Sequence, residues 1–240
     1  MSGRAVSEEG PSDHDHEIRL LKEHVAEMTA LAVGMVEDGT RALVNADPEL
    51  RRSVVARDAP LDRYDVNIEA EAIRLVAILQ PEGRDLRTIE ALLKVANCVD
   101  RVGRLGYDLA RNLSSAPLPT EETHQLLRQM DERARAMVER AMHAFVASDA
   151  AEAKSVFSMD DEVDALYHKL QDRIVELLRA GGPGADRLAY ELLGARHLER
   201  VADNAGKIAE KAVYAITGER RSEYFPPRPP RLAGPGHAQS

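Results

Sequence analysis

Two groups of carboxylates in this sequence have the residue types and the spacing of hard-metal ligands. Asp58, Asp62, Asp65 and Glu69 step by 4, 3 and 4 residues, so on a helix they form one narrow stripe. Asp160 and Asp164 repeat the first two places 102 positions later, with His168 one turn on. Further along, Asp100, Arg104 and Asp108 share a four-residue step with Glu199, Asp203 and Lys207, and Glu210 returns to the face of Glu199 and Asp203. Like charges at i, i+4 destabilise an isolated helix by a few tenths of a kcal/mol. Two such pairs facing each other across a bundle cost more unless a cation lies between them. Carboxylate oxygens on adjacent helices can grip Mg, Mn or Fe, with Zn a further candidate. The alternative is a solvated face on which Arg63, Arg101 and Arg200 neutralise the acids. Spacing alone leaves both readings open.

Other reactive residues have plainer expectations. A di-metal carboxylate oxidoreductase needs two Glu-x-x-His pairs and two further glutamates, whereas Glu-x-x-His occurs once here, at Glu121–His124. The sequence has no Gly-rich phosphate loop, no Ser-His-Asp set and no cysteine nucleophile with a base. It is therefore read as not an enzyme. His24, His124 and His143 are expected on partly exposed helix faces, His197 off the acid stripe, and His168 as an accessory ligand beside Asp164. The His14–Asp15–His16 run reads as a solvated helix start rather than a metal site. The lone cysteine, Cys98, excludes an internal disulfide and reads as a small buried thiol.

The elements that must position the acids are helices. Ile18, Leu21, Val25, Met28, Ala32, Met35, Gly39 and Ala42 alternate steps of 3 and 4, a heptad seam. It stops at Asn45-Ala46-Asp47-Pro48, where Asp47 can cap the next helix and Pro48 suits its first turn. A second run passes through Leu61, Tyr64, Ile68, Ala72, Leu75 and Leu79 to Gln80-Pro81-Glu82-Gly83. A third covers Leu86 to Leu113 and stops at Ser114-Ser115-Ala116-Pro117. The pattern then repeats. Shifted by 102 positions, Met35-Val36-Glu37 falls on Met137-Val138-Glu139, Asp47 on Asp149, Asp58 on Asp160 and Asp62 on Asp164. After a three-residue adjustment, Asp100-Arg101-Val102 falls on Glu199-Arg200-Val201. A match across helices and their loop indicates an internal duplication. The expected fold is all-α: two tandem antiparallel three-helix bundles at 17–115 and 119–218. They are flanked by a polar N-terminal segment (1–16) and a Pro- and Arg-rich tail (219–240), both read as disordered.

Composition agrees. Charged residues make up 30% of the chain and aromatics 4%, with no Trp, which suits long solvated helices rather than a β-sandwich. A net charge of -9 with interleaved signs argues against nucleic acid as a partner. No apolar run reaches the ~20 residues of a membrane span, and the acidic N-terminus is unlike a signal peptide. The expected location is the cytoplasm, with any membrane role exerted through partners.

The run His197-Leu198-Glu199-Arg200-Val201-Ala202-Asp203-Asn204-Ala205, continuing through Ile208-Ala209-Glu210 to Tyr214-Ala215-Ile216-Thr217-Gly218-Glu219, resembles the closing signature of the PhoU family. Asp160-Asp161-Glu162-Val163-Asp164-Ala165-Leu166-Tyr167-His168 resembles its second-helix motif. The resemblance implies tandem three-helix bundles, often dimeric. It implies a cytosolic negative regulator of phosphate uptake that contacts the ATPase of the phosphate ABC transporter and the phosphate-responsive sensor histidine kinase. It also implies carboxylate metal sites at Asp160, Asp164, Glu199 and Asp203 in the second copy, and at Asp58, Asp62, Asp100 and Asp108 in the first. A metal-independent helical adaptor is the alternative. The first copy departs from the motif at Arg104, a fixed cation in the would-be site, and at Pro60, which kinks or restarts its helix. Asp58 is then a cap, and an Arg104–Asp100 or Arg104–Asp108 pair replaces the ion. Lys207 stands where the family often has Asn, with a stem long enough to swing aside.

Overall fold

The seams read above close into helices, and Asp47 caps the second of them as expected. The computed structural model describes residues 13–111, 121–181 and 184–220. Among these it contains helices α1 (Asp13–Asn45), α2 (Pro48–Ala56), α3 (Asp58–Leu79), α4 (Gly83–Arg111), α5 (Glu121–Ala147), α6 (Ala150–Arg179) and α7 (Ala185–Thr217). No strand occurs among the described residues. α1 begins at Asp13, inside the polar segment assigned to 1–16. Leu113 and the Ser114–Pro117 stop lie outside the described residues, as do 1–12 and 221–240 of the two end segments.

Every position of the α1 seam, from Ile18 to Ala42, is buried. α1 ends at Asn45, and Asp47 then accepts hydrogen bonds from the backbone N–H groups of Glu49 and Leu50 with Pro48 in the first turn of α2. Its repeat partner Asp149 caps α6 in the same way, through Ala151 and Glu152. Between these matching starts the copies differ: α6 runs unbroken for 30 residues, whereas the first copy is cut into α2 and α3 at Arg57. Pro60 explains the cut. It has no N–H for the carbonyl of Ala56, and its ring crowds that same oxygen. The repeat partner of Pro60 is Glu162, which carries no such restriction.

α1, α4, α7 and α5 pack in a ring at the centre of the molecule; α3 lies on α1 and α4, and α6 lies on α5 and α7. One continuous apolar core runs through both copies. Two glycines let α1 and α4 meet backbone to backbone. A Cβ on Gly106 would stand 2.5 Å from the Met35 carbonyl carbon, and one on Gly39 only 2.3 Å from the Gly106 oxygen. A Cβ on Gly103 would likewise strike Leu61 at 2.4 Å. The second copy has Ala202 and the smaller Val163 at these places, a volume exchange of the kind cores accept.

Candidate functional site

The first acid face forms where the outer helix α3 meets α4, and a guanidinium occupies it. Arg104 lies 2.7 Å from Asp62, 3.0 Å from Asp100 and 3.6 Å from Asp58. The hydrogen bond to Asp100, helped by the charges of Asp100 and Asp62, raises the Arg104 pKa above its ordinary value. Asp58 is thus an ion-pair partner, not a cap: no side chain caps α3. Asp65, at the margin, has its carboxyl pushed up by partial burial first and then by Asp100 and Glu69, against the pull of Arg104. Asp108 stands apart and faces His197 of α7, whose pKa its charge raises against the larger lowering by burial. Of the two pairs expected from the sequence, Arg104–Asp100 forms and Arg104–Asp108 does not.

In the second copy Asp160 and Glu199 are buried, Asp164, Asp203 and Glu210 are half-buried, and His168 is exposed. The His168 ring meets Tyr167 edge-on at 5.8 Å. Arg196 Nη1 lies 2.7 Å from Glu199 Oε2. Arg104 and Arg196 are thus arginines that pair with the stripes, beside the first and second acid faces respectively. The carboxylates are the right chemistry for a hard cation. Yet among the described residues no three His, Cys, Asp or Glu side chains gather closely enough to hold one. The first copy has its cation built in, and the second has donors that are not drawn together.

A second polar cluster escaped the sequence reading. His124, expected on a partly exposed face, is 3% exposed, and Arg187 and Glu191 are fully buried. His124 Nε2 lies 2.9 Å from Glu191 Oε1, and Arg187 Nε donates to the same oxygen at 3.3 Å. The far end of Arg187 donates to the carbonyls of Leu43 and Val44, the latter at 2.9 Å. These are last-turn carbonyls of α1 that no helical N–H can reach. Arg187 in the second copy thereby caps a helix of the first. A signal existed in the sequence: Glu191 falls on the seam Leu188, Ala195, Leu198, where an unpaired charge would be too costly to bury. Nearby, Asp131 is also buried; it accepts from Thr40 of α1 at 3.1 Å and from Arg135 at 2.9 Å. The remaining expectations are plain. His24 and His143 are partly exposed and pair with Glu71 and Glu152 at 2.7 Å. Glu121 pairs with Arg128, away from the acid stripes, and Cys98 is a buried free thiol. No described helix is long and apolar enough to cross a membrane.

A family model described as the PhoU domain matches residues 25–113 and again 127–212. The phosphate-specific transport system accessory protein PhoU homolog 1 of Thermotoga maritima is 31% identical, with 89% of this chain and 94% of that protein covered. The PhoU homolog of Aquifex aeolicus is 32% identical over 85% and 92% of the two chains. Among solved structures, the phosphate transport system regulatory protein PhoU from Streptococcus pneumoniae superposes with a TM-score of 0.79 at 25% identity, covering 87% of this chain and 99% of that one. PhoU from Pseudomonas aeruginosa gives 0.78 at 27% identity, covering 85% and 99%.

Proposed function

The chain belongs to the PhoU family, and from that premise we propose that it is a cytosolic, non-enzymatic regulator that holds back phosphate uptake and phosphate-starvation signalling. The observation that carries the reading is the match over nearly the whole described chain, in both copies, to accessory proteins of the phosphate transport system. The geometry suits an adaptor. The long helices enclose a continuous core and present two charged outer faces, on α3 with α4 and on α6 with α7. The partners proposed are the ATPase of the phosphate ABC transporter and the phosphate-responsive sensor histidine kinase. A second copy of the chain is a further partner, favoured by Val66 and Ile73, 63% and 59% exposed on the outer face of α3. The test is a deletion strain grown in ample phosphate and carrying a phosphate-starvation reporter. Reporter activity and phosphate uptake should rise and should fall again on complementation. A silent reporter with unchanged uptake would refute the reading.

The metal part of the proposal belongs to the second copy. The ligands would be Asp160, Asp164, Glu199 and Asp203, with Glu210 and His168 alongside and Fe, Mn, Mg or Zn as the ion, and binding would have to draw these side chains together from their present places. The ion would supply charge to balance four carboxylates, and no step of the regulation proposed here runs through it. Metal content by ICP mass spectrometry separates the copies. Asp164→Ala/Asp203→Ala should remove bound metal, and Asp62→Ala/Asp100→Ala should not, because Arg104 holds that face. Metal-free wild type after incubation with Fe, Mn, Mg and Zn would leave the metal-independent adaptor.

A further inference from the structure

The duplication provides an internal control for every site, and one place fails to match. In the second copy His124 and Arg187 converge on the Glu191 carboxylate inside the protein. The 102-position shift that aligns α1 with α5 puts Lys22 at the place of His124. The 99-position shift that aligns α4 with α7 puts Thr88 at the place of Arg187 and Leu92 at the place of Glu191. The first copy therefore has a basic side chain at the matching place on its first helix but neither the arginine nor the carboxylate of the second.

The structure shows the result. Where the second copy buries His124, Arg187 and Glu191, the first has an open cleft of about 310 Å³ lined by Asp15, Ile18, Arg19, Lys22, Arg84, Asp85 and Thr88. Lys22 reaches across to the Ser148 hydroxyl at 3.3 Å, at the far end of α5, just as Arg187 reaches the end of α1. Lys22 and Arg84 make no ion pair with a described carboxylate, and they repel each other. Burial first, and then the Arg84 charge, lowers the Lys22 pKa. Arg19 is turned to Glu23 and His16, and Lys22 also lies over the Phe145 ring at 5.8 Å, so the cations that face the cleft are Lys22 and Arg84. Asp15 and Asp85 line the same cleft and limit its net positive charge.

We propose that this cleft binds a small oxyanion, which bridges Lys22 and Arg84 and takes the part that the Glu191 carboxylate plays in the second copy. The inference rests on the duplication and the cleft, not on the regulatory reading above, and either can fail without the other. Phosphate and small carboxylates share the required chemistry. An ammonium and a guanidinium are the side chains that recognise both, through charge-assisted hydrogen bonds.

Isothermal titration calorimetry on the full-length protein tests the proposal, with inorganic phosphate, malonate and chloride compared at constant ionic strength. Wild type should bind phosphate or malonate with heat that chloride does not reproduce, and the preferred anion identifies the source. Lys22→Met should weaken binding by about tenfold or more, the usual size of a lost charged hydrogen bond. Arg84→Gln, at an exposed position that folding does not need, should do likewise. Thr88→Arg/Leu92→Glu, which builds the second-copy arrangement into the first, should abolish anion binding and raise the thermal midpoint of the apo-protein. No oxyanion-specific heat in wild type, or undiminished affinity in both Lys22→Met and Arg84→Gln, would overturn the site.

Discussion

At the scale of single residues, the most consequential group is Arg187. Removing one partner of a buried ion pair strands the others, at a cost of about 3–5 kcal/mol. Arg187→Met should lower the unfolding free energy by that amount in urea titrations, because the Glu191 carboxylate and two α1 carbonyls lose their donor. Arg187→Met/Glu191→Met should cost less than the two single changes together. Additive losses would mean that the cluster is not a unit. His197 gives a pH signature. Burial holds its pKa below 6.5, with Asp108 pulling upward and Arg200 downward. As the pH falls through about 6.5 the unfolded chain takes up a proton that the native ring still refuses, so stability is complete above this range and is lost below it. The stability difference between wild type and His197→Gln should therefore shrink as the pH drops from about 8 to about 5. Parallel pH profiles would contradict this.

Elements are shaped by what their sequence omits. Gly39 and Gly106 lack the Cβ atoms that would force α1 and α4 apart, and Pro60 lacks the N–H that would fuse α2 to α3. Gly106→Ala must push against the main chain of Met35 and Val36, which cannot rotate aside, and should cost about 1–3 kcal/mol as overpacking. Ala205→Gly, at the matching position of α7, should cost about 1 kcal/mol through helix propensity alone. Thermal melts of the two variants decide the point: equal shifts would mean that the helices separate at no cost. The heptad seams and caps of these elements were readable in advance because each is a relation between residues one or two turns apart. The break after Ala56 was half-readable. Pro60 announced an interruption, and the structure places it four residues upstream, at the carbonyl the ring cannot accommodate.

The whole molecule behaves as one unit although its sequence is double. α1 packs on α5 and α4 packs on α7. Arg187 of the second copy caps the first, and Thr40 of the first bonds Asp131 of the second. The chain should unfold in a single transition, with calorimetric and van't Hoff enthalpies equal. Either copy expressed alone should expose the faces of α1 and α4, or of α5 and α7, and fail to form a monomeric native state. Two resolved transitions would show that the copies are independent.

By itself the sequence determined the all-helical architecture, the duplication, the Asp47 cap and the presence of a cation in the first acid face. All of these follow from periodicity or from residue types at local spacing. Only the tertiary structure decided which charges meet. Arg104 reaches Asp62 across 42 positions, His124 reaches Glu191 across 67, and Arg187 reaches Leu43 across 144. A helix dictates the direction in which each side chain leaves it, but the partner waiting there belongs to another helix. Burial then turns that meeting from a weak surface pair into a requirement for folding.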